Sequence, residues 1–583
     1  MKMNVVIPFL VSALAVVTTA IVSKDSLTQS AQPSETTSGY IVRANSSEVA
    51  ASAVQAVQAD IIKTLDIVDG VATELTQDQV KTLKDQGLKV FVDAKVELAT
   101  TGWGVASQVS QSVVPYQMGA LPLHDAGWYG DGVTIAVLDT GFKSMTGLRQ
   151  DAWGRKRIYG TYNAIEGKVQ NNDEEQNGHG THLASIAANS ERDIYNRFYG
   201  VAPAARLVSV KAFGETGEGS YAAVIDGIEW AIKFKDRLNI RVLNMSFSAP
   251  PQSFYWDDPV NVAVMKAWQA GIVVVASAGN NGGSPMTIGV PGNVPYVITV
   301  GASSDNYTVA DLADDRMAKF SSMGPSIEGF IKPEVVGYGG RIVGLMDKNA
   351  HLAITHPENH DGSKYFAMSG TSQAAATVSG VIALMLEYEP SLTPDQVKCR
   401  LMDSATVLNK KDSSEPEDIF KQGAGVVNAT EAVLSSAANC ANKGLDIAAD
   451  LAGTAHYVGP VATMGETEVQ PYLSRLLSDG SLWHDGSLWH DGSLWHDGSL
   501  WHDGSLWHDG SLWHDGSLWH DGSLWHDGSL WHDGSLWHDG SLWHDGSLWH
   551  DTTSLGTDTV TPASVASPDT SIGITVNVWV DEE

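Results

Sequence analysis

Four polar residues stand where buried-looking segments of this chain stop, and their types belong together: a carboxylate, an imidazole, an amide and a hydroxyl. Asp139 follows the apolar run in "VTIAVLDTGF", His179 sits in "NGHGTHLASIAANS", Asn280 closes the run in "IVVVASAGNNGG", and Ser372 precedes the alanine-rich part of "YFAMSGTSQAAATVSG". A hydroxyl becomes a nucleophile when an imidazole takes its proton. A carboxylate orients that imidazole, and an amide N–H stabilises the oxyanion that forms. Each position also has a plain reading of its own. Asp139 serves as a turn residue, Asn280 tolerates a left-handed turn, and Ser372 caps a helix. His179 and His182 are spaced as helix neighbours, as two metal ligands would be, but no glutamate-containing zinc motif accompanies them. A general base is the better reading of His179, and a packed structural residue that of His182.

The elements that must position these residues are legible between Asp131 and about Ser435. Apolar strands such as "GVTIAVLD", "RLVSVKAF", "IRVLNMSF" and "IVVVASAG" alternate with helical stretches such as "VIDGIEWAIKF" and "AVMKAWQAG". Near-continuous apolar strands alternating with helices predict an α/β fold, a mostly parallel sheet with helices on both faces. Functional residues in such sheets gather beyond the carboxyl ends of the strands.

Taken together and in order, "VLDTG", "HGTH", "AGN" and "SGTS" resemble the subtilase family of secreted serine endopeptidases, over about residues 120–435. "GVAPAARLVSVKAF", "LNMSFS", "GVPG" and "GAGVVNATEAV" strengthen the resemblance. It implies a subtilisin-like fold with Ser372 as nucleophile, His179 as general base and acid, Asp139 as orienting carboxylate and Asn280 in the oxyanion hole. It also implies a peptide paired as a strand between "NMSFS" and "GEGSY". Ser246, Phe247 and Ser248 would lie on one side and Gly219 on the other. Ser246 to Ser248, Ala278 to Asn280 and Gly289 would line the pocket for the residue before the cut, and Tyr221 would help form a second apolar subsite. Gly289 predicts a pocket open at its base and a preference for large apolar residues. The chain departs from the family at Gln373, Ala376 and Thr377, where Met, Pro and His are usual. It departs again at Ser185, Ser248 and Ala249, where Gly is usual, the last two crowding the substrate strand. No cofactor is expected for the chemistry. A structural calcium stays open, because "ANSERDIYNRF" differs in length from the family's calcium loop and no metal site is located.

The rest of the 583 residues divides by composition. Lys2 followed by the apolar stretch Val5 to about Val22 predicts a signal peptide over 1–23 and export to a secreted, periplasmic or cell-surface location. Residues 24–37 read as a linker. Residues 38–100 read as a small β-α-β-α-β module, with "SEVAASAVQAVQADIIKTL" as its first helix and "LKVFVDAKVEL" as its last strand. That module resembles the inhibitory propeptide of subtilases, which implies a maturation cut near Ala99 to Gly102. The protease domain is expected over 101–440 and a linker over 441–479. From 480 to 551 the hexapeptide GSLWHD repeats twelve times, and 552–583 form a Thr/Ser-rich tail ending in the strand-like "GITVNVWV". A helix cannot use a six-residue period carrying Gly and Ser in every copy. A flexible spacer, a stacked β-solenoid or stalk, and a tail that binds a surface, carbohydrate or metal all fit it.

A formal charge of −32 without a basic cluster excludes nucleic acid as a partner. Protein or peptide substrates and the chain's own propeptide are the partners expected of a monomer. The two cysteines, Cys399 and Cys440, predict one disulfide in an exported chain. A surface-binding protein with an idle protease domain is the rival reading.

Overall fold

The computed structural model describes residues 37–98, 101–102, 113–170, 175–282, 284–306, 308, 314–409, 417–459 and 461, with short strand segments inside 480–551. The apolar stretch Val5–Val22 and the segment "GITVNVWV" lie outside the described residues.

A nine-stranded sheet carries the molecule. Its parallel strands run Ile158–Asn163, Arg206–Lys211, Thr134–Asp139, Ile240–Met245, Val273–Ser277, Ile298–Ser304 and Val335–Tyr338 across the sheet, and Lys168–Val169 and Arg316–Met317 add short antiparallel pairings. The strand Thr134–Asp139, first of the parallel strands in chain order, lies between the third and the fourth. The chain therefore winds away from it in both directions, and this is where an open α/β sheet leaves a crevice at its carboxyl edge.

Side-chain alternation explains how both faces are covered. Leu138 packs towards Gly227 of the helix Tyr221–Leu238, where a Cβ would stand 3.1 Å from a Leu138 methyl. The neighbouring Val137 is in register with Asn244, whose Oδ1 accepts the Ser379 hydroxyl at 2.9 Å from the helix Thr371–Tyr388. Successive residues thus face helices on opposite sides. Thr371–Tyr388 is buried from Thr371 to Leu386, and its small residues let neighbours come close. At Gly380 a Cβ would stand 2.6 Å from Val201 and 3.1 Å from the Ala187 carbonyl of the helix His179–Ala188.

Residues 38–92 form a separate four-stranded antiparallel sheet backed by the helices Ser47–Ala56 and Gln77–Asp85. The expected first helix is shorter than its alanine-rich sequence. It ends at Ala56, Gln58 turns left-handed with φ 62°, and Ile61–Leu65 is a strand. "LKVFVDAKVEL" likewise splits into Lys89–Val92, which pairs within the module, and Lys95–Leu98, which pairs elsewhere. One face of the module's sheet, with Tyr40, Val42 and Val71, packs on its own helices. Ile41, Ala72 and Leu65 join the main core instead. Polar contacts frame that docking. Lys63 reaches the Ala164 carbonyl at 2.6 Å and Asp226 at 3.1 Å, Arg43 donates to the Asp257 carbonyl at 2.8 Å, and Lys89 pairs with the Asp257 carboxylate.

Beyond the sheet, Cys399 and Cys440 are joined by a disulfide with Cα atoms 5.1 Å apart. The folded unit continues past residue 440, where a linker was expected. Asp450 accepts hydrogen bonds from the Tyr255 and Tyr296 hydroxyls at 2.6 and 3.0 Å and from His456 Nδ1 at 2.8 Å, and the His456 ring stacks on Trp256. In the repeat region the described backbone pairs are antiparallel, as between Asp485–Gly486 and His496–Asp497. No helix among the described residues is long and apolar enough to cross a membrane.

Candidate active site

Asp139 is the last residue of its strand and fully buried. Its Oδ1 accepts from the Thr140 backbone N–H at 2.8 Å and lies 2.7 Å from His179 Nδ1. His179 is the first residue of its helix, reached through Gly178 at φ 108°, a left-handed conformation that glycine adopts without strain. The opposite ring nitrogen, His179 Nε2, is buried and has no hydrogen-bond partner among the described residues. An imidazole held in this way can present Nε2 as a proton acceptor.

Ser372 is the second residue of the helix Thr371–Tyr388, and its hydroxyl donates to the Ser246 carbonyl at 2.9 Å. In return the Ser246 hydroxyl donates to the Ser372 carbonyl at 3.1 Å. Asn280 comes up beside them after the strand Val273–Ser277. Its Oδ1 accepts from both the Thr371 N–H, at 3.0 Å, and the Thr371 hydroxyl, at 2.9 Å. A backbone N–H can only donate, so the amide's orientation is fixed. Its Nδ2 is then left buried and without a partner among the described residues, and such a donor calls for an explanation.

Two residues absent from the sequence reading hold this arrangement together. Glu175 accepts from the Thr140 hydroxyl at 3.0 Å, the Thr181 hydroxyl at 2.7 Å and the Gly178 N–H, so it ties the end of the Asp139 strand to the start of the His179 helix. Burial pushes its carboxyl above the usual range. Thr371 does the same for Asn280. Nothing in the local sequence marks either residue except its place next to a motif. His182 is a packed residue. Its Nε2 lies 3.0 Å from the Phe366 carbonyl, and burial lowers its pKa to about 3, which keeps the ring neutral. Ser185, where glycine was expected, bridges the His182 carbonyl and the Leu345 N–H, both at 2.7 Å.

The groove beside Ser372 is a sheet with a guest in the middle. Lys95–Leu98 of the N-terminal module runs antiparallel to both Glu218–Ser220 and Phe247–Ser248, with Val96 opposite Gly219 and Leu98 opposite Phe247. Val96 is buried in the cluster that holds Tyr221, Phe213 and Phe247, and the Tyr221 hydroxyl donates to Asp258 at 3.1 Å. On the far side of Ser372, Thr101 and Gly102 pair with Ser369 and Met368. Of the predicted pocket residues, Ala278 and Gly279 follow the strand Val273–Ser277, and the Gly279 N–H donates to the Thr371 hydroxyl at 3.2 Å. Gly289 abuts Ser248, and the Ala249 and Val290 backbones exchange hydrogen bonds beside it.

The Subtilase family model matches residues 130–425, which is just over half of the chain and holds all four of these residues. The chain belongs to the subtilase family. Members of this family are serine endopeptidases. The chain is 38% identical over 309 residues to Serine protease AprX of Bacillus subtilis (strain 168), covering 52% of itself and 66%, just under two thirds, of that relative. It is 34% identical to Subtilisin DY of Bacillus licheniformis, of which it covers 91%. It is also 31% identical to the Thermostable alkaline protease of Halalkalibacterium halodurans, of which it covers 89%. Among solved structures, fervidolysin from Fervidobacterium pennivorans, a keratinolytic enzyme related to subtilisin, superposes with a TM-score of 0.54 at 22% identity. That match covers 69% of this chain and 61% of fervidolysin, and it bears on the fold alone.

One subtilase feature takes its own form here. In the loop that differs in length from the family's calcium loop, Asp193 is bound by Arg197 and Glu191 by Lys364 and Tyr365, so both carboxylates have partners within the protein. Among the described residues no group of three or more His, Cys, Asp or Glu side chains is gathered to hold a metal.

Proposed function

We propose that this subtilase is an exported, monomeric serine endopeptidase, made as a precursor that inhibits itself and then cuts itself. Ser372 attacks the peptide carbonyl as His179 Nε2 takes its proton. Asp139 stabilises the imidazolium, and His179 returns the proton to the leaving amine. Asn280 Nδ2 and the Ser372 N–H receive the oxyanion. Water then hydrolyses the acyl-enzyme, and no cofactor takes part. Asn280 Nδ2 and His179 Nε2 support these roles, since both are buried and neither has a hydrogen-bond partner among the described residues.

The observation that carries the precursor reading is that one chain pairs with the groove on both sides of Ser372, through Leu98 against Phe247 and through Thr101 against Ser369. Only three peptide bonds lie between those pairings. Glu97 is opposite Ser248 and Leu98 opposite Phe247, so the described pairing ends one residue short of Ser246, whose carbonyl holds the Ser372 hydroxyl. The proposed cut is therefore Ala99–Thr100, with residues 38–99 as the inhibitory propeptide. Export is supported by the apolar stretch at the N-terminus and by the Cys399–Cys440 disulfide.

A fluorophosphonate probe tests the proposal. The processed wild type is expected to be labelled and to begin at Thr100. Ser372→Ala is expected to remain full length and unlabelled. Correctly processed wild type that takes up no probe would leave a binding protein with an idle site.

A further inference from the structure

In the strand Phe247–Ser248 the two side chains point to opposite sides. Phe247 turns towards Phe213, with ring centroids 5.1 Å apart, so Ser248 turns the other way, to the slot between Gly279 and Gly289. Two glycines should leave that slot open. Yet a Cβ on Gly289 would stand 2.1 Å from Ser248 Oγ, and one on Gly279 would stand 3.1 Å from it. The serine hydroxyl fills the space that the missing side chains release. A cavity of about 170 Å³ opens past it, walled by Ser248, Ala249, Pro250, Asn281, Met286 and Gly289 among others, and neither Ser372 nor Asn280 reaches it.

We propose that Ser248 determines which side chain is accepted before the scissile bond, closing the slot so that small residues fit and long apolar ones cannot reach the cavity behind. The inference rests on the endopeptidase reading above and replaces the large apolar preference expected from Gly289. Rotation about χ1 moves the oxygen but leaves the Cβ in place. Forcing extra carbons into a filled slot is strongly unfavourable, and discrimination by such a pocket is commonly about 10–200-fold per methylene-sized mismatch. The small side chain of Ala99 agrees with the same rule.

The processed enzyme would be assayed on two peptide p-nitroanilides that differ only in the residue before the cut, alanine or phenylalanine. The wild type is expected to show kcat/KM at least about tenfold higher on alanine. Ser248→Gly is expected to reverse that order by opening the way to the cavity, and Ser248→Ala, which keeps the Cβ, to fall between. The ratio measured on one enzyme does not depend on how much of it is folded, so a poorly folding variant still reports. A wild type that prefers phenylalanine, or a ratio unmoved in both variants, overturns the inference and leaves the endopeptidase standing. Absence of cleavage on both substrates together with absence of probe labelling overturns both.

Discussion

Thr371 occupies the acceptor end of the Asn280 amide, and this leaves the donor end free to meet an oxyanion. Asn280→Ala should therefore lower kcat by about 10²–10³, as loss of this kind of donor does in a subtilisin, with little change in KM because the bond is made mainly in the transition state. Initial-rate measurements on the processed enzyme check this. Next to the nucleophile, Gln373 is fully buried and neither atom of its amide has a hydrogen-bond partner among the described residues. An unpaired buried polar group costs about 1–3 kcal/mol. Gln373→Met keeps the shape and removes both polar atoms, so urea unfolding should show a gain of that order. His182 carries a pH dependence. Its folded pKa, about 3, lies below the ordinary value of 6.5, so between those values the unfolded chain binds more protons than the folded one. Stability from this group is present above about pH 6.5 and falls as the pH is lowered towards 3. Thermal unfolding of the Ser372→Ala chain should show this acid-side loss, and His182→Gln should reduce it.

At the scale of elements, the strand ends and helix starts that bear Asp139, His179, Asn280 and Ser372 could be read directly, because long apolar runs broken by Gly-flanked polar residues leave little choice of structure. Shorter elements were less legible. "AVQADIIKTL" has the composition of a helix, yet it breaks at Gln58 because the strand Ile61–Leu65 gains a neighbour in the module's sheet, and such pairing outweighs local propensity. Glu175 and Thr371 were invisible for a related reason: their partners are brought to them by the fold. Ser248 was noticed as a departure, but only its contact with Gly289 gives the departure a direction. The docked module adds a cap from outside a helix. Asp93 accepts from the Ala222 N–H at 3.0 Å at the start of Tyr221–Leu238, beside the helix's own cap Ser220. Loss of a cap costs about 1 kcal/mol. Asp93→Ala should thus shorten the lag before activity appears by several-fold, whereas Asp93→Asn, which keeps an acceptor, should leave it nearly unchanged.

Across the whole molecule, the segment after residue 440 belongs to the folded enzyme, through Asp450 on two tyrosines and through the disulfide that closes a 41-residue separation. A chain ending at Val461 is expected to keep the wild-type kcat/KM without any GSLWHD repeat. Cys399→Ser with Cys440→Ser should cost about 2–4 kcal/mol, the usual value for a loop of that size, in denaturant melts. The two pairings that flank Ser372 have a kinetic consequence. A substrate tethered in its groove is present at a concentration that dilution cannot change, so the precursor's first cut should follow first-order kinetics, with the same half-life at nanomolar as at micromolar protein. Cleavage of any second molecule, by contrast, must wait until that tenant has left.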